Sequence, residues 1–276
     1  MNSFLKIAVE AAREAGKIQT ERLGKAHQIE YKGEIDLVTE VDKACEKLIV
    51  EKIQRAYPDH DFLAEEGGGT RRHSDYKWII DPLDGTINYA HGYPLFCTSI
   101  ALEHKGQIIV GVVYEPNRDE MFTAEAGGGS FLNGKKIQVS KTAELIKSLL
   151  VTGFSYNIKK ARRNNFTIFK NMLLAAQAVR RDGVAAVDLC YVACGRFDGF
   201  WELNLFPWDV AAGALILSEA GGKLSDFSGK PFSIYDKEIA ATNGAIHEQM
   251  TGILTKKEVK RTPLEMVKGI MNANTE

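Results

Sequence analysis

In the stretch Trp78-Ile79-Ile80-Asp81-Pro82-Leu83-Asp84-Gly85-Thr86-Ile87-Asn88, an apolar run ends in two carboxylates three residues apart. The run reads as a strand that delivers Asp81 to its end. Pro82, with no N–H to give, is expected to stop the ladder there. Asp84-Gly85-Thr86 then turns into a short helix, so that both carboxylates can face one cavity. Hard cations such as Mg²⁺ take oxygen ligands of this kind and leave positions for water and phosphate. The N–H groups of Gly85 and Thr86, at a helix start, are placed to cradle phosphate oxygens. Taken alone, the stretch is described equally well as an exposed Asp-Gly turn with Asp as a helix cap.

Outward from this stretch, the texture separates into helical and strand-like parts. Phe4, Ile7, Ala8, Ala11, Ala15 and Ile18 recur at helical spacing, which predicts a first helix ending near Gly24. The polar run Lys32-Gly33-Glu34-Ile35-Asp36 reads as a loop. Thr39 is a candidate N-cap for a helix that carries Cys45, Leu48, Ile49 and Ile53 inward and stops before Pro58. From about residue 60 to 140 the pattern is that of strands, including Phe96 to Leu102 and Ile108 to Tyr114 joined across Lys105-Gly106, with a hairpin signal at Asn133-Gly134. A long helix is expected from about residue 155 to Arg180, another around Ala185 to Cys194, and a third from Pro207 to Ala220 capped by Gly221-Gly222. Helices, then antiparallel strands, then helices with strands make an α+β arrangement rather than βαβ alternation.

Two further acidic sites bear on the first. Glu65-Glu66 follows the strand-like Asp61-Phe62-Leu63-Ala64 and precedes three glycines. Asp209 stands in the first turn of an otherwise apolar helix, where compensation of the helix dipole also accounts for it. Asp42 stands three residues after Thr39, as in a capping box. Gly129 to Lys135 has P-loop spacing, but Lys136 occupies the position where Ser or Thr would hold Mg²⁺, and the segment lies at a hairpin. His91 is the histidine near the aspartates and reads as a packing or polar wall residue.

Composition narrows the function classes. Hydrophobic residues make up 45% and charged ones 26%, the balance of a soluble globular chain. A net charge of −1 argues against a dedicated nucleic-acid surface. No run of eighteen apolar residues spans a membrane, and the N-terminus has no secretory pattern, so a cytoplasmic protein is expected. Cys45, Cys97, Cys190 and Cys194 are scattered and read as buried thiols in a reducing compartment.

Four ordered motifs, Asp36 to Asp42, Glu65-Glu66, Asp81 to Asn88 and Trp208 to Gly213, together resemble the signature set of inositol monophosphatases. The resemblance runs from about residue 4 to 255 and includes Gly183 to Leu189 and Gly195 to Glu202, closest to bacterial members. It implies a layered α/β/α/β/α sandwich of the sugar phosphatase type, with a metal-binding half of about 1–142, a substrate half of about 143–255, and a tail, 256–276, outside it. It further implies that Glu65, Asp81, the Leu83 carbonyl, Asp84 and Asp209 bind two or three Mg²⁺ ions. Asp42 and Thr86 would hold the attacking water, and Lys32 would approach the phosphate. Asp84, Gly85, Thr86, Ala185, Glu202 and Asp209 would contact the substrate.

The expected reaction is hydrolysis of inositol 1-phosphate or a similar sugar phosphate by a homodimer sensitive to lithium. Sibling substrates of the same family include fructose 1,6-bisphosphate, 3′-phosphoadenosine 5′-phosphate, histidinol phosphate and NADP. Some bacterial relatives also contact the transcription machinery, which leaves an added regulatory role open. In-line attack on a phosphate monoester builds charge at both ends, which a metal pair clamps, and water near such a cation can drop in pKa from about 15.7 toward 7. Glu202 favours a polyol, since a carboxylate accepts from hydroxyls and repels a second phosphate. Many relatives carry Gly-Ser at the pocket where this chain reads Arg181-Asp182-Gly183-Val184, so the preferred alcohol is not set by the resemblance.

Overall fold

The helical spacing at the N-terminus forms α1, Ser3–Arg22, which buries Leu5, Ala8, Ala11, Ala12 and Ala15. This computed structural model describes residues 3–25, 29–31, 37–67, 69–70, 72–156, 158 and 163–255. Lys32 and the tail 256–276 lie outside the described residues. A short antiparallel pair, β1 (Ile29–Tyr31) and β2 (Leu37–Thr39), leads into α2 (Glu40–Ala56). Thr39 caps α2, and the capping box with Asp42 is closed in both directions.

The strand-rich part consists of β3 (Asp61–Ala64), β4 (Tyr76–Asp84), the one-turn α3 (Thr86–Ala90), β5 (Cys97–His104), β6 (Gln107–Glu115), β7 (Glu120–Glu125), β8 (Gly129–Leu132) and β9 (Lys135–Lys136). These strands form a seven-stranded sheet in sequence order, antiparallel except for the β3–β4 pair. Lys105-Gly106 and Asn133-Gly134 turn its hairpins with positive φ at both residues of each pair (52° and 82°, 49° and 76°), as two-residue hairpins require. The segment with P-loop spacing is the β8–β9 hairpin.

The remaining chain runs β10 (Leu149–Thr152), α4 (Phe166–Ala175), β11 (Ala178–Arg180), α5 (Ala185–Ala193), β12 (Gly199–Leu203), α6 (Pro207–Glu219), β13 (Lys223–Ser225), β14 (Glu238–Thr242) and α7 (His247–Leu254). Its five strands order as β11-β10-β12-β14-β13. The expected helix from 155 to 180 is therefore corrected. Among the described residues of that span only Phe166–Ala175 is helical, and Ala178–Arg180 leaves the helix to pair in parallel with Leu149–Val151. Parallel pairing with β10 outweighs the helical propensity of an alanine-rich run.

Five layers result. Helices α1 and α2 cover one face of the large sheet, α5 and α6 fill the space between the sheets, and α4 and α7 cover the outer face of the small sheet. The strand period of two divides the side chains between cores. Trp78 and Ile80 pack with α1 and α2, whereas Ile79 packs with residues of α5 and α6. Each such fully buried aliphatic side chain contributes roughly 1.5–3 kcal/mol of transfer free energy. A third core joins Leu150, Trp201 and Ala240 to Ile168, Met172 and Met250.

Candidate active site

β4 does not stop at Pro82. It continues to Asp84 with a register shift against β5 between Asp81 and Asp84. Proline is tolerated because it stands at this irregularity, and its carbonyl accepts from Gln19 Nε2 at 2.8 Å and Thr98 Oγ1 at 3.2 Å. The bulge re-aims the chain, and Glu65, Asp81, Leu83, Asp84 and Asp209 all line one cavity of about 520 Å³. Gly85 follows with φ 93°, a left-handed conformation at which a Cβ would also meet Val184 Cγ2 at 2.9 Å. Gly85, Thr86, Ala185 and Glu202 line the same cavity. Of the sequence-predicted residues, those just after β3, on β4, at Gly85 and the start of α3, at the starts of α5 and α6, and on β12 thus line one cavity, while Asp42 lies outside its lining and Lys32 lies outside the described residues.

The cap reading of these aspartates does not exclude a place in the site, because a carboxylate has two oxygens. Asp42 Oδ2 accepts from Thr39 N at 2.9 Å and Thr39 Oγ1 at 2.5 Å, while Oδ1 lies 3.0 Å from Thr86 Oγ1. Asp42 is fully buried behind Thr86. Thr86 Oγ1 also lies 3.0 Å from the Leu83 carbonyl. Asp209 Oδ2 accepts from Phe206 N at 2.7 Å, capping α6 from a residue that faces the cavity. Asp84 Oδ2 accepts from Ala186 N at 2.8 Å, which ties β4 to the first turn of α5. The Gly85 N–H acts on the Asp84 carboxylate.

Burial and mutual repulsion shape the electrostatics. Burial first, then Glu65, Asp84 and Asp209, pushes Asp81 well above the usual carboxylate range. Burial likewise pushes up Asp209, with Asp84 adding to it. Asp84 is raised to about 7 by burial, with Glu65 adding to the rise and the Ala186 N–H opposing it. Asp42 is raised to about 6 by burial, against the hydrogen bonds from Thr39 and Thr86. Glu202 is raised to about 8 by burial, and Arg181 opposes the rise.

These donors fit Mg²⁺. Among the described residues the cavity lining offers carboxylate and carbonyl oxygens and neither Cys nor His. A divalent cation would relieve the repulsion that raises these carboxylates. Among the described residues no three His, Cys, Asp or Glu side chains close into a metal cluster.

Some features were not foreseen. His91 is exposed at the C-terminal end of α3 rather than packed in a wall. Arg181, Tyr156, Asn204, Phe206 and Lys237 line the cavity beside the predicted residues. Arg181 reads as part of the pocket segment Arg181 to Val184 without a role of its own, and nothing in Tyr235-Asp236-Lys237 marks the lysine. Pairing of β12 with β14, which sets Leu203 opposite Glu238, brings Lys237 there.

Cys45, Cys97 and Cys190 are buried and Cys194 is partly so, all as free thiols. Among the described residues no helix is long and apolar enough to cross a membrane.

The inositol monophosphatase family profile matches residues 1–258. The inositol-1-monophosphatase of Synechocystis sp. is 47% identical over 256 residues, covering 92% of this chain and 89% of that protein. The solved inositol monophosphatase of Anabaena (Nostoc) sp. superposes with a TM-score of 0.84 at 45% identity, over 96% of this chain and 98% of the other. The extragenic suppressor protein suhB of Bartonella henselae superposes with a TM-score of 0.87 at 38% identity, over 92% and 99%. With the layered fold and the carboxylate-lined cavity already in place, these matches make the chain a member of the inositol monophosphatase family and a phosphoric monoester hydrolase.

Proposed function

We propose that this chain hydrolyses inositol 1-phosphate or a similar small sugar phosphate, with Mg²⁺ held by Glu65, Asp81, the Leu83 carbonyl, Asp84 and Asp209. The observation that carries this reading is the meeting of these oxygens in one cavity with Thr86, whose hydroxyl is held from behind by the buried Asp42. Bound there, Mg²⁺ supplies charge neutralisation at the attacking and leaving oxygens.

The chain's own groups supply orientation. Asp42, fixed by two donors from Thr39, accepts from the Thr86 hydroxyl and turns that oxygen's lone pairs toward the cavity. There Thr86 accepts a hydrogen bond from the attacking water and holds it in line. Ala185, small and at the start of α5, leaves room for the alcohol, and Glu202 of β12 takes its hydroxyls. On this reading the hydrolytic set belongs to the large-sheet half and the alcohol contacts to the small-sheet half, with Asp209 of α6 between them. Lys32 is assigned to the phosphate on the motif resemblance alone.

Names of the relatives support inositol phosphate as substrate. Exposed Phe166, Leu173 and Leu174 on α4 support self-association, since a homodimer would bury them. We place the enzyme in the cytoplasm and expect lithium to inhibit it. Phosphate release from inositol 1-phosphate, measured before and after exhaustive chelation, tests the assignment. Activity should vanish and return with Mg²⁺ but not with Zn²⁺, and turnover that survives chelation would overturn the metal site.

A further inference from the structure

Two cations, Arg181 and Lys237, line the catalytic cavity beside Glu202. Arg181 is the cation whose field acts on the Glu202 carboxylate, and Lys237 shares a small adjoining cleft with Glu202. Among the described residues neither side chain makes an ion pair or a hydrogen bond, whereas Lys52, Lys77 and Arg196 each pair with a glutamate. An unpaired cation facing a cavity is available to a ligand.

Both are exposed at the cavity mouth and neither is neutralised by a paired carboxylate among the described residues. Arg181 folds across Gly183 (φ 76°), where a Cβ would come within 2.6 Å of Arg181 Nη1. Only glycine both adopts that backbone and leaves the guanidinium room. The Lys237 ammonium sits 4.7 Å from the centroid of the Phe206 ring, which is itself stacked on Trp208 at 4.9 Å and 9°. The Lys237 carbonyl accepts from Asn204 N at 2.8 Å, which anchors its backbone.

The charge count then differs by region. Glu65, Asp81, Asp84 and Asp209 serve the cation, on the reading above. Around Glu202 the cavity also holds Arg181 and Lys237, although Asp84 reaches Glu202 and Asp188 lies behind it, so a second anionic group on the substrate meets two cations there and not carboxylates alone. The repulsion expected from Glu202 alone is offset.

We propose that Arg181 and Lys237 form an anion subsite for the leaving group, so that the enzyme prefers phosphate monoesters whose alcohol carries a second anionic group. The preference rests on the phosphatase reading and narrows its substrate class. Arg181 suits a planar bidentate contact with carboxylate or phosphate, and Lys237 adds a point charge.

The test compares kcat/KM at fixed ionic strength for two doubly anionic monoesters, fructose 1,6-bisphosphate and 3-phosphoglycerate, with two neutral-alcohol monoesters, inositol 1-phosphate and glycerol 2-phosphate. The parent should favour the doubly anionic pair by about tenfold, and the preference should shrink as salt rises. In Arg181→Gln and in Lys237→Met the ratio should fall by about tenfold, mainly through KM. Arg180→Gln, an exposed neighbour outside the cavity, should leave the ratio as it is. The bisphosphate and the carboxylate arms distinguish a phosphate subsite from a general anion subsite. Hydrolysis of all four without preference, or equal losses on both classes in the two variants, overturns the subsite alone. Failure of every monoester to react with Mg²⁺ present overturns the phosphatase reading beneath it.

Discussion

A single aspartate here can be a helix cap and a member of the site, which is why the sequence leaves the two readings tied at Asp81, Asp84, Asp209 and Asp42. Asp209 caps α6 through Phe206 N, so a stability measurement alone does not exclude chemistry at the same residue. A cap replaced by Asn keeps most of its hydrogen bonding and costs about 1 kcal/mol at most in such a change. A Mg²⁺ ligand replaced by Asn loses its charge, so turnover should drop about a hundredfold, ~2.7 kcal/mol of barrier. Asp84→Asn and Asp209→Asn are therefore expected to fold and to be nearly inactive. Their melting temperatures in chelator should equal or exceed the parent's, because a repelling charge is gone. Asp42→Asn should lose activity while keeping most of its Mg²⁺ affinity. Normal hydrolysis by the first two variants, together with lower melting, would return those aspartates to caps.

Asp188 was legible as an acidic residue near the start of α5 but not as a buried one. It is 1% exposed, and neither oxygen has a hydrogen-bond partner among the described residues. Burial pushes its pKa well above the usual range, with Asp182, Glu202 and Asp84 adding to the rise and Arg181 opposing it. The sign follows directly. The folded chain holds this proton where the unfolded chain has released it, so the stability tied to Asp188 is full below about pH 3.9 and is lost as pH rises toward the folded pKa. Asp188→Asn removes that dependence. Thermal melts of the variant at pH 8 should lie above the parent by roughly 2–4 °C, about 1 kcal/mol for a chain of this size. The difference should narrow toward pH 5. A variant that melts lower at every pH would mean that the carboxylate has a partner the described residues do not include.

At the scale of elements, the signals that sequence carries well are local. The capping box of α2, the two hairpins with paired positive φ, and the alternation of Trp78, Ile79 and Ile80 between cores follow from near neighbours. β11 was not legible, because its strand state depends on β10 some thirty residues earlier in the chain. Lys237 escaped for the same reason: it reaches the site through the pairing of β12 with β14.

Close approach between elements is also where the site is most easily disturbed. A Cβ on Gly111 of β6 would lie 2.8 Å from the Ala212 carbonyl oxygen and 3.2 Å from Ala212 Cα, both backbone atoms of α6. Relief requires the helix to move, and Asp209 moves with it. Gly111→Ala is expected to cost about 1–3 kcal/mol in stability. It should also weaken Mg²⁺ activation, read as a higher Mg²⁺ concentration for half-maximal turnover. Lost stability with unchanged Mg²⁺ dependence would separate helix docking from the metal site.

For the whole molecule, burial has placed several carboxylates of raised pKa in one cavity between the sheets. The folded chain without divalent cation therefore binds protons that the unfolded chain has released. Its stability should rise as pH falls from 8 toward 6, and decline as pH climbs through the folded values, including the value of about 7 at Asp84. With saturating Mg²⁺ the cation competes with those protons, so the slope should flatten or reverse, and melting at pH 8 should rise well above the chelated sample. Melting curves at pH 6, 7 and 8 with Mg²⁺ or chelator decide this. Identical curves under both conditions would mean that the carboxylates do not bind the ion.

On the proposed reading, the cavity draws most of its hydrolytic set from the large-sheet half and much of its rim from the small-sheet half. For a lineage of such chains this means that chemistry and diet are separable in inheritance. On that reading, substitutions at Arg181, Glu202 or Lys237 would exchange one alcohol for another while Glu65 after β3 and the residues on β4 and α6 pass on the same hydrolysis intact. New substrates are then reached by few steps, each from an ancestor that already works.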